Sequence, residues 1–157
     1  MCWIELGRAC QEQIAPDFRL MTPGGMPVTR RQFRQRSHLV LMFLPDPSAP
    51  AAQRLLAGLA ARGPRLAAAG AVVYAVAPIA GAPVLPVPVL PDPGKAVRRR
   101  YAALLPRPER PGDAEPFIVI LDRYGALAHA ARGALGRGEI ADEILNWVQG
   151  LQHECPE

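Results

Sequence analysis

A chain of 157 residues that is 50% hydrophobic and 20% charged is long enough to bury one sizeable core and too short for two ordinary domains. Its formal charge of +4 comes from arginine, with Lys95 as the lone lysine, and beside the many alanines and prolines this bias reads more economically as a GC-rich bacterial genome than as a nucleic-acid footprint. No apolar run reaches the roughly 18 to 20 residues of a membrane helix, and residues 1–8 carry Glu5 with no basic stretch leading into an apolar one, so the expectation is a soluble cytoplasmic protein without a secretory leader.

The first 14 residues form a short amphiphilic segment with Trp3, Ile4 and Leu6, expected to pack on the body or on a second subunit. Thr22-Pro23-Gly24-Gly25 supplies a turn, because glycine tolerates positive φ and proline fixes its own, and predicts a short N-terminal β-hairpin. Residues 39–44 are apolar on both faces, as a central strand covered by helices on both sides must be. Residues 51–61 place Leu55, Leu56 and Leu59 on one helical face and stop near Gly63-Pro64.

A second buried strand is predicted at 71–77, then a proline-rich segment, 78–91, holding the short apolar stretch 87–90. Residues 94–105 read as a helix with Val97, Tyr101 and Leu104 inward and Arg98, Arg99 and Arg100 largely outward. Four prolines in 106–116 predict a loop without regular structure. Residues 117–121 form a further apolar strand, and 126–131 can return as its hairpin partner. The final helix, 138–153, repeats Ile140, Ile144, Leu145, Val148 and Leu151 at helical spacing. Alternating strands and helices with a late hairpin predict an α/β fold on a central mixed sheet.

Cys2, Cys10 and Cys155 are odd in number and widely spaced, which suits neither a disulfide framework nor a zinc site, so reduced thiols are expected. His38, His129 and His153 lack ligand spacing, and no metal or cofactor is expected. Arg30, Arg31, Arg34 and Arg36 have only Phe33 interleaved, the pattern of a solvated surface and not of a nucleic-acid site. Tyr101, Tyr124, Trp3 and Trp147 read as core or interface residues.

Several segments, in order, are similar to the peroxiredoxin branch of the thioredoxin superfamily. Ala15-Pro16-Asp17-Phe18 resembles its entry motif, and residues 28–33 the approach to its first long strand. Phe43-Leu44-Pro45 resembles the end of the strand that carries the active-site loop; 88–97 followed by Tyr101 resembles the segment before and within a later helix; 117–122 followed by Gly125 resembles a strand and turn near the C-terminus. The resemblance implies a thioredoxin-fold domain over residues 1–157, with 1–14 as an N-terminal extension, and a homodimer.

The resembled family carries its peroxidatic motif as Pro, three residues, Thr, two residues, Cys. Counted from Pro45 through Ser48 and Pro50, the threonine position falls on Ala49 and the cysteine position on Ala52. The family's arginine, three residues before the position of Phe117, falls on Ala114. Peroxide reduction needs a thiolate, donors that stabilise charge on the peroxide oxygens and a hydroxyl that positions it. Alanine supplies none of these.

Ser48 is the nearest hydroxyl and reads as a turn or capping residue; the helix end near Ala51 keeps amide donors that attract anions. Cys155 sits in a Cys-Pro tail similar to that in which some two-cysteine members keep a resolving thiol. The readings are therefore a degenerate binding or regulatory module of the thiol-specific antioxidant type, a thiol oxidoreductase or peroxidase using Cys155 or Cys10 with a redox partner protein, or a basic adaptor.

Overall fold

The computed structural model describes residues 1–78, 87–136 and 139–154. Its first elements are the strand Cys2–Trp3 (β1), the one-turn helix Arg8–Gln11 (α1) and the hairpin strands Arg19–Met21 (β2) and Pro27–Thr29 (β3). The strand His38–Phe43 (β4) leads to the helices Pro50–Ala61 (α2) and Gly63–Ala68 (α3), then to Ala71–Ala77 (β5) and Val89–Pro91 (β6). The helix Ala96–Ala102 (α4), the hairpin Phe117–Leu121 (β7) and Leu127–Arg132 (β8), and the helix Ile140–Glu154 (α5) complete the order.

All six residues of β4 are buried. It pairs in parallel with β5, His38 against Ala71 through Phe43 against Val76, and antiparallel with β7, Leu39 against Leu121 through Phe43 against Phe117. The six-stranded order is β1-β8-β7-β4-β5-β6, while β2 and β3 form a separate two-stranded sheet. This is the mixed sheet and N-terminal hairpin expected from the pattern.

Because successive strand side chains alternate in direction, β4 feeds two cores. Val40, Met42 and Leu44 join Ile118 and Ile120 under Leu55, Leu56 and Leu59 of α2, Leu66 of α3 and Ile144, Leu145 and Val148 of α5. Leu39, Leu41 and Phe43 join Phe117 and Val119 under Tyr101, Phe18, Leu20 and Val28. Phe43 and Phe117 stack at 4.5 Å, and Tyr101, fully buried, packs on Phe43 and donates its hydroxyl to Pro16 O at 2.6 Å. Burial pushes the Tyr101 phenol up from its ordinary value, so it stays a donor at any working pH.

Several expectations are corrected. Val73 is only partly buried: β6 pairs with β5 only at Ala75, Val76 and Ala77, and α3 above it buries a single large side chain, Leu66. The α2 helix breaks at Arg62 and a second short helix follows it. Within 106–116 one 3₁₀ turn forms, Arg107–Glu109. Arg30 is 9% exposed, because Thr29 and Gln32 cap each other's ends of the turn Arg30–Phe33 and turn Arg30 inward against Gly125. A Cβ at Gly125, where φ is +85°, would stand 2.6 Å from Arg30 Nη1. Arg31, Arg34 and Arg36 are exposed, and Arg31 reaches Asp17 at 3.6 Å. Of the residues read as core or interface, Tyr101 is core, whereas Trp147 and Tyr124 are partly exposed and lie outside the core. Most of the proline-rich stretch, 79–86, and Gly138 lie outside the described residues, among which no helix is long and apolar enough to cross a membrane.

His38 opens β4 and is fully buried. Its Nε2 donates to Gln152 Oε1 at 3.2 Å, an oxygen that also accepts from Arg123 Nη2 at 2.8 Å. Nδ1 has no hydrogen-bond partner among the described residues. Burial holds the imidazole below its ordinary value of 6.5, because a second N–H here would be desolvated and unpaired. The unfolded chain therefore takes up this proton first as pH falls, so the stabilisation is complete above pH 6.5 and drains away below it.

Two outcomes follow. Chemical denaturation of Ile120→Ala is expected to show a loss of about 2–5 kcal/mol, and of Val73→Ala a clearly smaller one. Between pH 7.5 and 5.5 the wild-type stability should fall with pH, and His38→Gln, less stable at neutral pH, should show a flatter profile over that range.

Candidate functional site

The chain leaves β4 at Leu44, whose N–H still donates to Val76 O at 2.9 Å, and Pro45 ends the ladder because it has no N–H to give. Asp46 then folds the connection. Its Oδ1 accepts from Ser48 N at 3.0 Å and Ser48 Oγ at 2.6 Å, and its carbonyl from Ala49 N at 3.2 Å. Gln53 Nε2 donates back to Pro47 O at 2.8 Å. Pro50 opens α2 at a position where its missing N–H costs nothing, and no side chain caps the helix at Ala49. Ser48 is thus a turn residue with its hydroxyl proton committed to Asp46.

Above this turn lies a cleft of about 300 Å³ lined by Leu44, Pro45, Asp46, Ala49, Ala51, Ala52, Ala114, Pro116, Ala134 and Leu135. The fold brings together the three positions at which the peroxiredoxin pattern would carry threonine, cysteine and arginine, and all are alanine: Ala52 is buried, Ala49 half-buried and Ala114 exposed. Among the described residues Asp46 is the single ionisable one in this wall. Its carboxylate disfavours an anion at the helix end that the free amides would otherwise attract.

Two arginines hold the opposite bank of the cleft. Arg98 of α4 is 6% exposed, a correction to its expected outward position. Its guanidinium lies over the Phe117 ring, 4.9 Å from the centroid, and its Nη2 donates to Gly112 O and Glu115 O. The helical spacing carries only a trace of this, since Arg98 lies at i,i+3 to Tyr101, on the edge of the arc by which Val97 and Tyr101 meet the sheet. Arg132 of β8 grips Glu115 with Nε and Nη2 at 3.0–3.2 Å and donates to Pro108 O at 3.3 Å. Both cations fix the segment that presents Ala114, and neither lines the cleft.

The thiols lie elsewhere. Cys2 is exposed on β1 opposite Arg132, and Cys10 is half-buried on α1; both are free, and neither lines the cleft. Cys155 lies outside the described residues. His38 sits under Gln152, His129 stacks on Trp147, and His153 is exposed near the end of α5.

Residues 12–130 match the AhpC/TSA family. Among curated proteins none matches the chain in sequence. The bacterioferritin comigratory protein of Xanthomonas campestris, studied for alkyl peroxide reduction, superposes with a TM-score of 0.70 at 20% identity over 95% of this chain and 98% of that one. Peroxidoxin BcpB of Mycobacterium tuberculosis gives 0.71 at 15% identity over 88% and 95%, and the reduced 2-Cys peroxiredoxin of Plasmodium vivax 0.73 at 18% over 92% and 86%. These likenesses establish a thioredoxin-type peroxiredoxin fold.

Replacing Arg98 with lysine keeps the charge and removes the forked donor. Arg98→Lys is expected to cost about 1.5–3 kcal/mol of stability in urea denaturation and to increase cleavage after Glu109 by a glutamate-specific protease.

Proposed function

The chain belongs to the AhpC/TSA family, and from that premise we propose that it is a catalytically degenerate member: a peroxiredoxin-like module, one domain over residues 1–157 with 1–14 as an extension, that binds or regulates without reducing peroxide. The observation that carries this reading is the cleft at the start of α2, walled by Ala49, Ala52 and Ala114, with no nucleophile and no cationic donor among the described residues of its lining. A peroxide placed there meets methyl groups and the Asp46 carboxylate, so nothing attacks it and nothing stabilises charge on its leaving oxygen. The chemistry of the wall suits uncharged, apolar groups. We extend the proposal to a cytoplasmic homodimer, supported by exposed apolar side chains at Ile14, Met21, Met26 and Tyr124; sedimentation showing only monomer at micromolar concentration would count against the dimer.

A second reading is a thiol-disulfide oxidoreductase or peroxidase that works through Cys10 or Cys155 with a partner protein. The free, half-buried Cys10 thiol favours it. One assay separates the two readings. Thiol-dependent peroxide consumption by the purified protein should stay at the rate of free cysteine, unchanged by Cys10→Ser and Cys155→Ser; turnover well above it, abolished by either substitution, would establish the second reading.

Restoring the nucleophile alone should not restore the reaction. A thiol introduced by Ala52→Cys would feel the favourable helix end, but also burial, since Ala52 is 2% exposed, and the Asp46 carboxylate in the same cleft. Each missing donor further costs about 2.7–4 kcal/mol of barrier if it acts as oxyanion-hole donors do. Stopped-flow oxidation of Ala52→Cys by hydrogen peroxide is therefore expected to be slow, and the triple variant with Ala49→Thr and Ala114→Arg measurably faster.

A further inference from the structure

The chain has two tryptophans, and both stand in one open hollow on the far side of β8 from β7. Trp3 of β1, His129 of β8 and Glu143, Asn146, Trp147 and Gly150 of α5 line a volume of about 470 Å³, a size ordinary for small-molecule sites. The Trp3 and Trp147 rings meet edgewise, centroids 5.8 Å apart at 63°, and the His129 imidazole stacks on Trp147 at 4.0 Å. Trp3 Nε1 donates to Glu143 Oε2 at 2.7 Å, which fixes the indole and holds the carboxylate beside it. Trp147 remains 39% exposed.

Aromatic faces carry negative potential, and the carboxylate adds a negative charge, while no lysine or arginine is among the described lining residues. Asn146 is the one side-chain amide among the described lining residues, so a strongly hydrated cation entering the hollow would find few replacements for its water. A methylated ammonium is weakly hydrated and gains most from ring faces backed by a carboxylate. We propose that this hollow is a binding site for a small methylated ammonium cation. It is separate from the alanine cleft and does not depend on how that cleft is read.

Because the only tryptophans are in the site, the intact protein carries its own probe. At pH 8 and constant ionic strength, choline and tetramethylammonium should each give a saturable change in tryptophan fluorescence with a Kd of about 1–10 mM, matched by calorimetry. The neutral choline isostere 3,3-dimethyl-1-butanol should give none. Glu143→Gln should weaken choline binding about fivefold or more, and Asn146→Arg, at an exposed position that leaves both rings in place, should abolish it. Equal response to the isostere would reduce the hollow to an apolar patch and overturn the proposal. So would the absence of saturable binding by both methods, or a fluorescence change that follows protein concentration without ligand, which would show a second copy of the chain covering the rings.

Discussion

Everything in this molecule hangs on β4 being hydrogen-bonded on both sides and covered on both faces. A strand in that position has no freedom of register, because a slip by one residue would exchange Val40 and Met42 for Leu39 and Leu41 between two differently shaped cores. The place where the chain leaves the sheet is therefore fixed, and with it Pro45, the Asp46 turn and the first turn of α2. A site at the end of this strand inherits the rigidity of the sheet rather than the looseness of a loop.

The charges near that site have been turned to architecture. Arg98 is buried, yet its guanidinium faces two carbonyl oxygens and an aromatic ring, which together replace much of the water it has lost. Arg132 holds Glu115 in a forked contact close by. A proline-rich segment with little backbone pairing of its own thus keeps a definite path, and the position of Ala114 follows from it. On the reading proposed above, fold and chemistry separate here, since among the described residues the cleft beyond β4 is lined by alanine, proline and leucine, with Asp46 as its one ionisable side chain.

The central strands were readable from sequence because uninterrupted apolar runs such as Phe117–Leu121 have few alternatives, and the β2–β3 hairpin because Pro23-Gly24-Gly25 dictates a turn. Two alanines of the cleft, Ala49 and Ala52, were also readable by counting from Pro45, and Ala114 by counting back from Phe117, both on the resemblance to the peroxiredoxins. What stayed hidden depends on long-range partners. Arg98 and Arg30 are buried only because carbonyls, a ring or a bare glycine backbone arrive from distant segments, and binary patterning treats any arginine as outward. Val73 was overcounted because its apolarity says nothing of how short the neighbouring β6 is. The pairing of Trp3 with Trp147 joins the two ends of the chain, and no local spacing contains it.

The first 14 residues are short of regular structure, but their backbone is not idle. Cys2 and Trp3 pair with Arg132 and Ala131, Ile4 N donates to Ala130 O, Gln13 O accepts from Leu127 N, and Ile14 bridges to Ala126. Together they occupy the outer rim of β8, which would otherwise show a row of unpaired amides and carbonyls ending the sheet. This segment is thus a guard against templated strand addition. A chain shortened by proteolysis within it would keep its folded core and acquire an open sheet edge, and its failure would take the form of edge-to-edge aggregation rather than unfolding.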